Sequence, residues 1–128
     1  MTTATQAAPS FTLTVKDVAH ASHVAPSAVR FYEDQGLIQA RRTTGNQRRF
    51  DENAICRIRF ARRAQRVGLT VREIADIFQA LPEQPSAQDW ARVADSLVAE
   101  AEAHVADLRH DLDALQTVTI RCTAGTVR

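Results

Sequence analysis

Apolar side chains at helical spacing, together with capping and terminating residues, mark four candidate helices in the first two thirds of the chain. Val15, Val18 and Ala19 mark the first, with Thr14 as N-cap and Asp17 three positions on, running to about Ser22. After a turn at Ser22-His23-Val24, Pro26 opens a second helix that stops near Gln35 and Gly36, with Val29 and Phe31 assigned to its core side. Two short helices joined by a tight turn make a helix-turn-helix candidate. Phe11-Thr12-Leu13 alternates, as a short strand would, and Leu37 to Phe50 has strand-like ends around Thr43-Thr44-Gly45-Asn46, the pattern of a β-hairpin. Asp51 caps a third helix, apolar at Ile55, Ile58, Phe60, Ala61, Ala64 and Val67 and halted by Gly68. Thr70-Val71-Arg72-Glu73 is a capping box that opens a fourth, with Ile74, Ile77, Phe78 and Leu81 turned to a core.

Pro82-Glu83-Gln84-Pro85 breaks the chain, and a different rhythm follows. Ala91, Ala94, Val98, Ala101, Val105, Leu108, Leu112 and Leu115 are separated by 3, 4, 3, 4, 3, 4 and 3 residues, the heptad alternation of a coiled coil. A helix this long cannot bury such a seam against the small unit before it. The simplest partner is the same helix in a second copy, with Trp90 at the start of the interface. The β-branched residues and Gly125 between Thr117 and Arg128 predict that the helix ends there. The divisions are therefore a disordered leader over 1–10, a compact unit over 11–81, a dimerisation helix over 82–117 and a short tail over 118–128.

Charge sharpens this division. The 128 residues carry a net charge of only +1. Residues 1–72 hold 12 basic and 5 acidic side chains, a net of +7, and residues 73–128 hold 4 and 10, a net of −6. Fifteen of the 16 cations are arginines, which fork onto phosphates and guanine edges better than lysine does. Arg41-Arg42 and Arg48-Arg49 fall on the two arms of the hairpin, which brings four guanidiniums into one patch. No acid nearby in the sequence neutralises them, so an external polyanion is the cheapest account. Arginines such as Arg62, Arg66 and Arg72 on a helix face are the ordinary solvated surface. For Tyr32 simple packing and a contact to DNA both stay open.

Catalytic and metal chemistry find little support. Two cysteines, Cys56 and Cys122, cannot build a disulfide framework or an all-cysteine metal site. His20, His23, His104 and His110 read as surface residues without a second good ligand at i,i+4, and no nucleophile–base set or phosphate loop stands out, so no enzyme is expected. The polar leader is no secretory signal and no apolar run reaches membrane-span length, which makes a cytoplasmic, nucleoid-associated protein without a membrane partner the expectation.

The segments LTVKDVAHASHVAPSAVRFYEDQGLI and RRTTGNQRRFDENAICRIRFARRAQRVGLTVREIADIF resemble the MerR family of bacterial transcription regulators. VRFYEDQGLI and GNQRRF are the most specific parts. The likeness covers about residues 11–81, and the long helix extends it to about 116. Within the family it is greatest to SoxR-like members, through SAVRFYEDQGLI, GNQRRF, ARRAQRVGL and LPEQPSAQDW. Those members hold a [2Fe–2S] cluster on four cysteines just after the dimer helix. Here that region has Cys122 alone, so the ligand set is missing and no cofactor is expected.

The resemblance implies a mainly α fold: a winged helix-turn-helix followed by a long C-terminal dimerisation helix, paired as an antiparallel coiled coil. It implies a homodimer on double-stranded promoter DNA that bends and untwists a pseudo-palindromic operator for RNA polymerase. Arg30 and Tyr32 then belong to the recognition helix. Arg41, Arg42, Arg48 and Arg49 lie on the wing, which Asn46 and Gln47 shape, and Lys16 and Ser27 add phosphate contacts. Trp90, Ala94, Val98, Ala101, Val105, Leu108, Leu112 and Leu115 form the dimer interface. A small-molecule effector at that interface, a thiol or metal sensor built on Cys122, and an architectural DNA-bending protein with no effector remain alternatives.

Overall fold

The computed structural model describes residues 10–125, so the leader, apart from Ser10, lies outside the described residues. The order is α1 (Val15–Ser22), α2 (Pro26–Asp34), β1 (Arg41–Arg42), β2 (Arg48–Arg49), α3 (Glu52–Arg66), α4 (Val71–Phe78) and α5 (Ala87–Gly125). The fold is mainly helical, a helix-turn-helix with a small wing and one long C-terminal helix.

Local chemistry sets most boundaries. Thr14 and Thr70 form reciprocal capping boxes with Asp17 and Glu73, while Asp51 accepts the Ala54 N–H. Ser86 and Asp89 satisfy each other's backbone N–H in the same way at the head of α5. Gly68, which ends α3, has φ +100°, a conformation that any side chain would strain.

The core is one cluster in which Val18, Val29, Leu37, Ile38, Phe50, Ile58 and Ile74 are fully buried. Each such aliphatic or aromatic side chain contributes about 1.5–3 kcal/mol by leaving water. Phe50 also exchanges both backbone hydrogen bonds with Leu13, at 2.9 and 2.7 Å. The strand expected at Phe11–Leu13 is thereby reduced to this single antiparallel bridge, which fastens the entry of α1 to the base of the hairpin.

The start of α5 belongs to this core. Trp90 stacks on Phe60 with centroids 5.0 Å apart and meets Phe78 edge-on at 6.3 Å, and Val93 and Leu97 are buried. Trp90, expected at the dimer interface, is half-buried and packs within its own chain. The seam proper lies on another face: Val98, Val105, Leu108, Leu112 and Leu115 are exposed, and Ala94 and Ala101 half-buried.

The expected end of the helix near 117 also needs correction, because α5 continues to Gly125. Thr117, Thr119 and Thr123 each turn their hydroxyl back onto the carbonyl four residues earlier, at 2.8–3.1 Å. Inside the helix these polar β-branched residues satisfy their own hydroxyls, and their propensity cost of a few tenths of a kcal/mol each is too small to break it.

Candidate nucleic-acid interface

The wing is built from arginines that face one another. Across the β1–β2 pair Arg41 lies opposite Arg49 and Arg42 opposite Arg48. Like charges in direct opposition destabilise a strand pair, so something else must hold the turn. Asn46 takes the left-handed conformation at φ 62°, which asparagine tolerates better than most residues. Its N–H donates to the Thr43 carbonyl at 2.8 Å, and the Thr43 N–H donates to the Gln47 carbonyl at 2.9 Å. Asn46 and Gln47 therefore shape the turn.

Each guanidinium is oriented by a neighbour. Arg42 donates to the Asn46 carbonyl at 3.1 Å, and Arg49 donates to the Arg48 carbonyl and to Gln47 Oε1. Arg41 lies over the Phe11 ring, 4.3 Å from its centroid. Arg48 donates from Nε to Glu33 Oε1 at 2.6 Å. The expectation that no acid neutralises the hairpin therefore fails for one arginine, because folding carries Glu33 of α2 to it. The other three wing arginines have no salt bridge among the described residues.

Lys16 of α1 and Arg42, Asn46, Gln47, Arg48 and Arg49 of the wing line one shallow cleft of about 440 Å³. Asp17 sits close by. The Thr14 backbone and side-chain hydrogen bonds, followed by weaker attraction from Arg49 and His20, hold its carboxyl below the ordinary aspartate range. Arg41, Ser27 and Arg30 are exposed but do not line the cleft.

The helix expected to do the reading differs in one respect from its neighbours. Ala25, its N-cap, offers no side-chain acceptor, and Pro26 has no N–H, so the first turn of α2 is left uncapped with Ser27 exposed beside it. A free helix N-terminus favours anions.

Tyr32 does not present itself on that helix. It is buried, and its hydroxyl donates to Gln65 Oε1 at 2.6 Å. Burial raises its phenol above the ordinary range, against a smaller opposite pull from Arg62. Phe31, assigned to the core, is instead 43% exposed. Helical phase explains the exchange: Tyr32 is three residues from buried Val29 and shares its face, whereas Phe31 at i+2 points away. The pairing of Glu33 with the wing and the exposure of Phe31 are what the sequence reading missed, and phase counted from Val29 would have found Phe31. Arg59 and Arg62 donate to the Ala21 and His23 carbonyls at 3.3 and 3.5 Å, so Arg62, assigned to the solvated surface, also braces the α1–α2 turn.

Comparison with known proteins places this architecture. Residues 13–81 match the family model described as MerR HTH family regulatory protein, and residues 55–118 match the one described as MerR, DNA binding. The chain is 38% identical over 107 residues to the HTH-type transcriptional activator SoxR homolog of Chromobacterium violaceum, covering 80% of this chain and 72% of that one. The transcription regulator PbrR691 from Ralstonia metallidurans CH34, solved in complex with lead(II), superposes with a TM-score of 0.60 at 25% identity, over 87% of this chain and 82% of that one. HiNmlR, a MerR family regulator lacking the sensor domain and bound to promoter DNA, shares the fold with a TM-score of 0.52 at 18% identity, over 82% and 85%.

Proposed function

The chain belongs to the MerR family of helix-turn-helix transcription regulators, and on that premise we propose that α2 and the β1–β2 wing are its DNA face. Members of this family are DNA-binding regulators that act as dimers on promoters, and they are not enzymes. In this reading α2 enters the major groove with Arg30 toward base edges, and Phe31 adds an apolar contact beside it. Lys16, Arg41, Arg42 and Arg49 grip backbone phosphates, and Ser27 with the uncapped first turn of α2 binds one more.

One observation carries the reading: Lys16, Arg42 and Arg49 converge on one cleft whose only paired cation is Arg48. The exposed seam from Ala94 to Leu115 joins two copies, which sets two reading heads on a pseudo-palindromic operator. The regulator acts by bending and untwisting that promoter so that RNA polymerase can engage it, and its place is the cytoplasm. No helix among the described residues is long and apolar enough to cross a membrane. The compact unit over 11–81 and the dimerisation helix from 82 are the working parts of this proposal. Selection by the full-length chain from a random duplex library tests it. The expected result is enrichment of sites with two-fold symmetry, and recovery of asymmetric sites alone would overturn it.

The SoxR-like branch raises the question of an iron–sulfur cluster, and the residues present do not fit one. The 128 residues contain only Cys56, half-buried in α3, and Cys122, exposed on α5. Four thiolates cannot be assembled from them, so no regulatory step is assigned to a cluster.

A further inference from the structure

Where α4 meets α5, Glu73, Glu100 and His104 bring one carboxylate oxygen each and an imidazole nitrogen within 4.8 Å of one another. Two helices build this group. Glu100 and His104 are one turn apart on α5, an i,i+4 pair that the sequence reading overlooked. Glu73 comes from the first turn of α4, where its Oε1 accepts the Thr70 N–H at 2.8 Å and fixes its carboxylate. His104 Nε2 lies 3.0 and 3.2 Å from the two oxygens of Glu73. Glu100 is half-buried, yet its side chain makes no hydrogen bond or ion pair among the described residues. Two carboxylates are thereby held together, and the imidazole beside them is turned to Glu73.

We propose that Glu73, Glu100 and His104 form a binding site for a borderline divalent metal ion of the Zn²⁺ type. An imidazole nitrogen with two carboxylate oxygens is a donor set this ion takes, at about 2.0–2.2 Å from each ligand. Ligands at that range around a tetrahedral ion sit about 3.4 Å apart. The Glu73–His104 pair is already near that separation, and Glu100 lies within 4.8 Å of both, a gap that a side-chain rotation can close. Water fills the fourth position, since both Glu73 and His104 remain about one-third exposed. The ion would replace the Glu73–His104 hydrogen bond and tie α4 to α5 across 31 residues of sequence. The site stands on its own geometry and needs neither cysteine.

Titration of ZnCl₂ into full-length protein freed of metal by a chelator, followed by calorimetry and thermal melting, tests the proposal. The expected result is one ion per chain and a melting temperature that rises with zinc. Glu100→Gln and His104→Gln should each weaken binding at least tenfold and abolish the zinc-dependent rise, whereas Cys122→Ser should leave both unchanged. Glu100→Gln disturbs neither the Thr70 cap nor any hydrogen bond, so it decides the matter even if His104→Gln impairs folding. Absence of zinc binding by folded wild-type protein would overturn the site. So would zinc binding that survives Glu100→Gln intact.

Discussion

Arg48 of the wing donates to Glu33 of α2 at 2.6 Å, with both side chains only partly exposed. This contact joins the wing, proposed to grip backbone, to α2, proposed to read bases. It also neutralises one of four like charges on a crowded hairpin. Glu33→Gln breaks the ion pair and adds one positive charge to the DNA face. The expected outcome is stronger binding to arbitrary duplex at low salt but a smaller ratio of operator to non-specific affinity, measured by competition anisotropy. An unchanged ratio would show that the pair does not orient the wing.

The seam on α5 and the aromatic stack at its head have separable roles. Leu108 and Leu112 are 63% and 56% exposed, while Trp90 packs on Phe60 and Phe78 of its own chain. Leu108→Glu or Leu112→Glu should give monomers by sedimentation velocity. Trp90→Ala should leave a dimer at the same protein concentration but lower unfolding stability by about 2 kcal/mol, less than a fully buried tryptophan would. Dissociation caused by Trp90→Ala alone would move that residue back to the interface.

Ser22 is buried at 2% exposure, and its hydroxyl has no hydrogen-bond partner. A buried unpaired hydroxyl opposes folding, so Ser22→Ala should raise stability by about 1 kcal/mol in urea denaturation. A loss of stability would mean that the hydroxyl is satisfied in solution.

Three carboxylates, Asp17, Glu73 and Asp89, are held below their ordinary values, in each case chiefly by the backbone N–H of the N-cap three residues earlier. In the unfolded chain they bind protons more readily than in the folded one. Their contribution to stability is therefore complete above the ordinary values of 3.8 for aspartate and 4.5 for glutamate, and is lost as pH falls through the lower folded values. Asp17→Asn, Glu73→Gln and Asp89→Asn combined should flatten the acid limb of a stability–pH profile between about pH 5 and pH 2. An acid limb as steep as that of the wild type would exclude the caps as its source.

Most helix boundaries were legible because capping and glycine signals act locally: Thr14, Asp51, Thr70 and Gly68 need only the next few residues to do their work. The wing was legible through its paired arginines and the Thr-Thr-Gly-Asn turn. What escaped depends on residues far apart in sequence. Glu33 meets Arg48 across 15 positions, Tyr32 finds Gln65 across 33, and Glu73 finds His104 across 31. The packing of Trp90 on α3 and α4 escaped because a heptad seam and a core-facing stripe share the first turns of one helix, and only the position of α3 and α4 separates them. The end of α5 was misjudged because the propensity cost of a few β-branched residues is too small to stop a long helix.

The central claim is that the wing grips DNA backbone, and the salt dependence of binding tests it most directly. Log K for an operator duplex, measured from low to moderate salt, should fall linearly with log salt concentration for the wild type. Each phosphate contact contributes about 0.9 to the slope, so Arg42→Ala or Arg49→Ala, present in both protomers of a dimer, should reduce it by nearly twice that. Slopes identical to the wild type in both variants would contradict the account.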